Sequence, residues 1–239
     1  PTLSTAAPRT PGPRPTKTSA PPTRRPTPRP VVVPAAGGRN GALARLGVRR
    51  ATGTAAVALT FDDGPHPVHT PEILAVLRAH RVKATFCVVG TQVRRHPGLV
   101  RQIAREGHTL CNHSWNHEFT LGRKSEAEIQ ANLLRTNREI RRAVPGARVP
   151  YFRHPGGNWT AAAVRVAHRL GMLSIDWTVD PQDWNKPTAA QITSRVLGST
   201  RAGGIVLLHD GGGVRSATVT ACRRFIPALK RKHRLVRLP

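Results

Sequence analysis

From Thr54 onward, short β-branched or apolar runs alternate with longer amphipathic stretches, and few folds accommodate that rhythm. It is the pattern of βα units wound around a mainly parallel sheet. Strands are expected near 54–61, 83–89, 108–112, 148–152, 172–177, 204–208 and 234–238, with helices between them. Pro71 suits a helix start ahead of Glu72, Ser125 opens a long segment over 126–143 with Glu128 at capping-box spacing, and Thr160 precedes another helix. About seven strands in near-regular alternation predict an α/β fold, a distorted (β/α) barrel whose active site forms at the C-terminal edge of its strands.

The first 38 residues follow another rule. They hold eleven of the 22 prolines, seven threonines, six cations and no acid, the composition of an extended, disordered linker. Residues 39–53 read as transitional, and 54–239 as one catalytic domain, the most that 239 residues with 38% hydrophobics support beside such a tail. No apolar run approaches the roughly 20 residues that cross a bilayer. The start at Pro1, without a charged-then-apolar leader, reads as a mature secreted form or a piece cut from an anchor. Three cysteines, Cys87, Cys111 and Cys222, lack metal-ligand spacing and read as small buried hydrophobes, with a Cys87–Cys111 bridge open to an oxidising compartment. A net charge of +26 raises nucleic acid as a partner, but the arginines run across the folded part and form no dense basic run interleaved with aromatics. Anionic cell-wall polymers are the preferred partner of such a field, and the chain is read as a monomer.

The acids are placed with more selectivity than surface solubilisers would be. Of six aspartates, Asp62, Asp63, Asp180, Asp183 and Asp210 follow expected strands. Five groups recur at strand ends: Thr60 to Pro65 with its paired carboxylates, His113 to His117, Tyr151 to Gly157, Asp180 to Trp184, and Ile205 to Asp210. His113 and His117, four apart, would share one side of a helical turn, close enough to hold one cation, and a third, carboxylate ligand would leave the open position that a catalytic metal needs. Zinc peptidases use the same spacing with Glu in the second position, whereas here it is Ser114, which argues against a peptidase. Any one group alone is more often a turn, a core residue or a solvated charge. Five in register with the sheet are not.

In order and content these groups resemble the polysaccharide deacetylase family, also called carbohydrate esterase family 4 or the nodulation-protein-B homology domain, over about residues 54–238. The resemblance implies a deformed barrel and removal of acetyl groups from N-acetylated glycans, such as peptidoglycan or chitin-like polymers, outside the cell or in its envelope. It implies Asp62 as catalytic base, with Asp63, His113 and His117 as ligands of a divalent metal, for which zinc suits two imidazoles and a carboxylate and cobalt is an alternative. It further implies that Arg153 holds Asp62, that the Gly156 N–H faces the oxyanion, that Asp183 orients His209 as acid, and that Trp184 and Leu207 line the acetyl pocket. Gly156 departs from relatives that often carry an aromatic there. An O-acetyl esterase acting on xylan, or an idle wall-binding module, are the alternatives within this reading.

Overall fold

A computed structural model describes residues 36–238. Apart from residues 36–38, the linker expected over 1–38 lies outside the described residues. Ala36 already opens a helix, α1 (Ala36–Arg45), and the segment expected to be transitional continues from it onto the sheet, through bridges from Arg49 to Ile175 and from Ala51 to Gly204.

All seven expected strands form. They are β1 (Val57–Asp62), β2 (Thr85–Val88), β3 (Thr109–Asn112), β4 (Tyr151–Phe152), β5 (Leu173–Ser174), β6 (Ile205–His209) and β7 (Leu235–Val236). Every pairing is parallel, in the order β5-β4-β3-β2-β1-β6, with β7 against the first residues of β1. The sheet curls into a half-barrel. Its two sides approach where the chain after β5 bridges β6 at Val179 and Val206. Strands β1, β2, β3 and β6 are buried along their whole length, as expected of a parallel sheet covered on both faces.

Strand alternation sorts the side chains. Val57, Leu59 and Phe61 join the main core with the helices, while Ala58 joins a smaller cluster with Cys87, Cys111, Tyr151, Ile175, Ile205 and Leu238. Thr60 and Asp62 share the face of Ala58, and the register of β1 with β6 sets Thr60 beside Leu207 and Asp62 beside His209. Period two therefore delivers two candidate side chains to one edge of the sheet.

The helices are α2 (His69–Ala79), α3 (Gly90–Arg95), α4 (Pro97–Arg105), α5 (Glu126–Ala143), α6 (Ala161–Arg169), α7 (Ala189–Ser199) and α8 (Ser216–Lys230). The capping box expected at Ser125 and Glu128 is present, Thr160 caps α6, and α2 begins two residues ahead of Pro71. Buried small thiols are the wrong description for two of the cysteines. Cys87 and Cys111 face each other across β2 and β3 with Cα atoms 4.2 Å apart and are disulfide-bonded, leaving Cys222 on α8 as the free, buried thiol.

Candidate active site

Asp62 ends β1, and the chain turns at once. Asp63 takes φ 73°, in the left-handed region that a non-glycine residue enters only under constraint. The constraint comes from the loop after β6. Its Asp210 carboxylate fills the space a side chain on Gly64 would need, and Gly212 lies so close to the Asp63 carboxylate that a Cβ there would collide with it.

His113 follows β3. His113 and His117 do not share a helical turn, as their spacing suggested; they meet across a loop in which Ser114 (φ 68°) and His117 (φ 56°) are left-handed. Asparagines hold that loop. Asn112 Oδ1 accepts from the Ser114 N–H at 2.8 Å, its Nδ2 donates to Asn137 on α5, and Asn132 Oδ1 accepts from the Trp115 N–H at 2.8 Å. The N–H groups of Gly90 and Thr91, at the start of α3, donate to the carbonyls of Ser114 and Trp115. Composition and spacing gave no sign of these supports.

One oxygen of Asp63 and one ring nitrogen each of His113 and His117 lie within 4.8 Å of one another. Asp63 Oδ1 is 3.4 Å from His113 Nε2 and 3.1 Å from His117 Nε2, and it is buried without a hydrogen-bond partner. The backbone carbonyl of Arg153 can only accept, so His113 Nδ1, 2.8 Å away, carries a proton and Nε2 is the nitrogen turned to Asp63. Burial would lower the pKa of this imidazole, but the charges of Asp62 and Asp63 raise it, and a cation bound there would compete with the Nε2 proton. Burial would raise the pKa of Asp63, but the close approach of His113, with the charges of His209 and His117, holds it far below the ordinary carboxylate range. For His117, burial leads and His113 adds to it, so its pKa is lowered and its ring tends to the neutral form that ligates. A converging carboxylate and two imidazoles, with an orphaned buried oxygen among them, fit a divalent cation.

Beside this triad, Asp62 Oδ1 accepts from Arg153 Nη1 at 2.7 Å. Arg153 is fully buried, and its guanidinium also donates to Thr60 Oγ1 (2.8 Å) and to the Asp176 carbonyl (3.2 Å). The enclosed guanidinium fixes the orientation of the Asp62 carboxylate and places a positive charge against it.

On the other flank, His209 Nδ1 lies 2.7 Å from Asp183 Oδ1, and the His209 N–H donates to Asp183 Oδ2 at 2.9 Å. Thr218 on α8 donates to the same carboxylate, and buried Arg215 reaches the carbonyls of Asp183, Gly211 and Gly212. Burial by itself would lower the pKa of His209; the hydrogen bond and charge of Asp183, then the charges of Asp63 and Asp62, raise it to about 9. Burial likewise lifts the Asp210 carboxyl to about 7, and Thr70 donates to it.

Gly156 and Trp184 lie on the segments that follow β4 and β5, and Leu207 lies within β6, level with Thr60. Leu207 is buried on β6, Trp184 is exposed beside Asp183, and Gly156 occupies an exposed turn after β4 with φ 64°. Of the histidines given no role from sequence, His154 is a support: its Nε2 accepts from the Gly122 N–H at 3.0 Å.

The family model for polysaccharide deacetylases matches residues 49–175. This chain belongs to the polysaccharide deacetylase family. Among its relatives, a chitooligosaccharide deacetylase of Sinorhizobium fredii is 40% identical over 199 residues, covering 79% of this chain and 92% of that protein. A peptidoglycan-N-acetylglucosamine deacetylase of Bacillus cereus is 37% identical over 178 residues, 74% of this chain and 82% of the relative. The fold matches the crystal structure of a peptidoglycan N-acetylglucosamine deacetylase with a TM-score of 0.77 at 34% identity, over 82% of this chain and 93% of the other. The deacetylase is an α/β enzyme whose curled sheet carries the Asp63, His113 and His117 donors at its edge.

Proposed function

We propose that this polysaccharide deacetylase hydrolyses the N-acetyl groups of N-acetylglucosamine polymers of the peptidoglycan or chitin type, with a divalent metal, zinc by the chemistry of its donors, held by Asp63, His113 and His117. The observation that carries the reading is the flanking of one donor triad by two different devices, a carboxylate held by a buried arginine and an imidazole held by a buried carboxylate. A cation bound there supplies Lewis acidity to the acetyl carbonyl and to the attacking water.

The rest is the work of the chain. Asp62, held in place by Arg153, accepts the proton of the water as it attacks. The Gly156 N–H donates to the oxygen on which charge develops, and Trp184 and Leu207 enclose the acetyl methyl. An amine anion cannot leave unprotonated. His209, holding its proton beside Asp183, donates it to the departing nitrogen. Nothing in this sequence requires a covalent intermediate.

The disulfide supports a site of action outside the cytoplasm, in the envelope or beyond it, and the name of the peptidoglycan-directed relative points the same way. No helix among the described residues is long and apolar enough to cross a membrane. Acetate release measured side by side on peptidoglycan, chitin oligomers and acetylxylan tests the proposal. Release from the N-acetylated polymers is expected to exceed that from acetylxylan, and release from acetylxylan alone would make the enzyme an esterase.

A further inference from the structure

Among the described residues six large hydrophobic side chains are exposed, and four of them, Val68, Phe119, Trp184 and Val214, lie on loops that follow the C-terminal ends of β1, β3, β5 and β6. That edge carries the candidate site. Apolar groups gathered around a polar centre mark a surface that binds something.

Phe119 is the most constrained of the four. It is 56% exposed, yet its ring is fixed on two sides. It meets the His117 imidazole edge to face, with centroids 4.8 Å apart and planes at 83°. On the other side the ring sits over Gly156: a Cβ placed there would fall 2.7 Å from Phe119 Cδ1 and 2.8 Å from Cε1. Asn158 Nδ2 donates to the Phe119 carbonyl at 3.2 Å, which ties the backbone under the ring to the same turn. The absence of a side chain at Gly156 is what admits the ring. A solvent-exposed ring with a fixed pose beside a metal donor is pre-organised, so little ordering entropy is lost when a flat apolar face is laid on it. One face of a pyranose ring is such a surface, made of C–H groups.

We propose that Phe119 is a specificity-determining residue of this enzyme, its open ring face being the platform on which a pyranose ring of the glycan stacks to bring its N-acetyl group to the Asp63, His113 and His117 donors. This rests on the glycan-deacetylase reading above and adds the residue that selects the sugar. Gly156 then has a positioning role besides that of its N–H, through the ring that it admits.

The test uses the full chain carrying Asp62→Asn, loaded with zinc, and titrates it calorimetrically with the N-acetylglucosamine tetramer. Adding Phe119→Ala is expected to weaken binding by roughly threefold to tenfold, the range of one aromatic contact, with zinc content unchanged, and Phe119→Trp to restore it. Gly156→Ala, which displaces the ring while keeping it, is expected to weaken binding as well. Unaltered tetramer affinity in Phe119→Ala would overturn the platform, and so would a weakening matched by loss of zinc, because Phe119 would then be a prop for His117. If the Asp62→Asn protein with Phe119 intact does not bind the tetramer, the glycan reading falls along with the platform.

Discussion

The imidazole of His209 is nearly enclosed, and burial alone would strip its proton; the contact with Asp183 reverses that balance and raises the pKa to about 9. A group required in its acid form is fully charged below that value and loses its proton as pH rises through it. Turnover is therefore expected to fall on the alkaline side near pH 9, and in Asp183→Asn that limb should move down toward the ordinary ~6.5 of an imidazole. A pH–rate profile of each protein reads the shift, and an unmoved limb would assign it to another group. The leaving group offers a second check on the same residue. General acid help is worth ~10²- to 10⁴-fold, and an aryl oxide needs less of it than an amine. His209→Ala should lose acetamide hydrolysis by about that factor while hydrolysing an aryl acetate with a much smaller loss. Equal loss of both, with fold and metal intact, would give His209 a transition-state role instead.

At the scale of the element, the loop from His113 to His117 depends on amide side chains that neither bind metal nor touch substrate. Replacing Asn112 with Leu removes the acceptor for the Ser114 N–H and the donor to Asn137, freeing a backbone that is left-handed at Ser114 and His117. Supports of this kind typically contribute 10- to 100-fold to metal affinity, so competition with a chelator should show weaker zinc binding by about that factor in folded Asn112→Leu protein. Unchanged affinity would mean the loop holds its shape without Asn112.

The same loop shows where sequence reasoning stops. The seven strands, the capping box at Ser125 and the placing of Asp62, Asp63 and His209 at strand ends were legible because hydrophobic period and strand polarity are local properties. The path between His113 and His117 was not. An i, i+4 spacing describes a helix only if the backbone is helical, and here Asn112, Asn132 and Asn137, up to 25 residues apart in sequence, decide otherwise. The seating of Phe119 over Gly156 and the reach of Arg215 to Asp183 are likewise tertiary facts. The Cys87–Cys111 bond required the register of β2 with β3, which no spacing encodes.

Across the whole molecule, that disulfide closes a loop of 24 residues between neighbouring strands. In the chain-entropy account such a loop contributes about 3 kcal/mol by restricting the unfolded state. The Cys87→Ala, Cys111→Ala double variant should lose about that much stability in denaturant titration, and a loss below about 1 kcal/mol would show that the bond adds little to the sheet.

The charge of +26 acts at longer range. It concentrates polyanions and is screened by salt. With six cations and no acid in residues 1–38, a chain starting at Arg39 should bind anionic cell walls more weakly at low salt while hydrolysing soluble oligomers at a similar rate. Equal wall binding would take that role from the segment.

The central claim, that Asp62 and the adjacent metal donors form an N-deacetylase, is tested most directly by acetate released from the N-acetylglucosamine tetramer. Zinc-replete native chain and Asp62→Asn are compared at equal zinc content. The account predicts release by the native chain, abolished by chelation and restored by zinc, and at least about 100-fold slower release by Asp62→Asn, whose amide cannot accept the proton of the attacking water. Release by Asp62→Asn at the native rate, or none from the zinc-replete native chain, would contradict it.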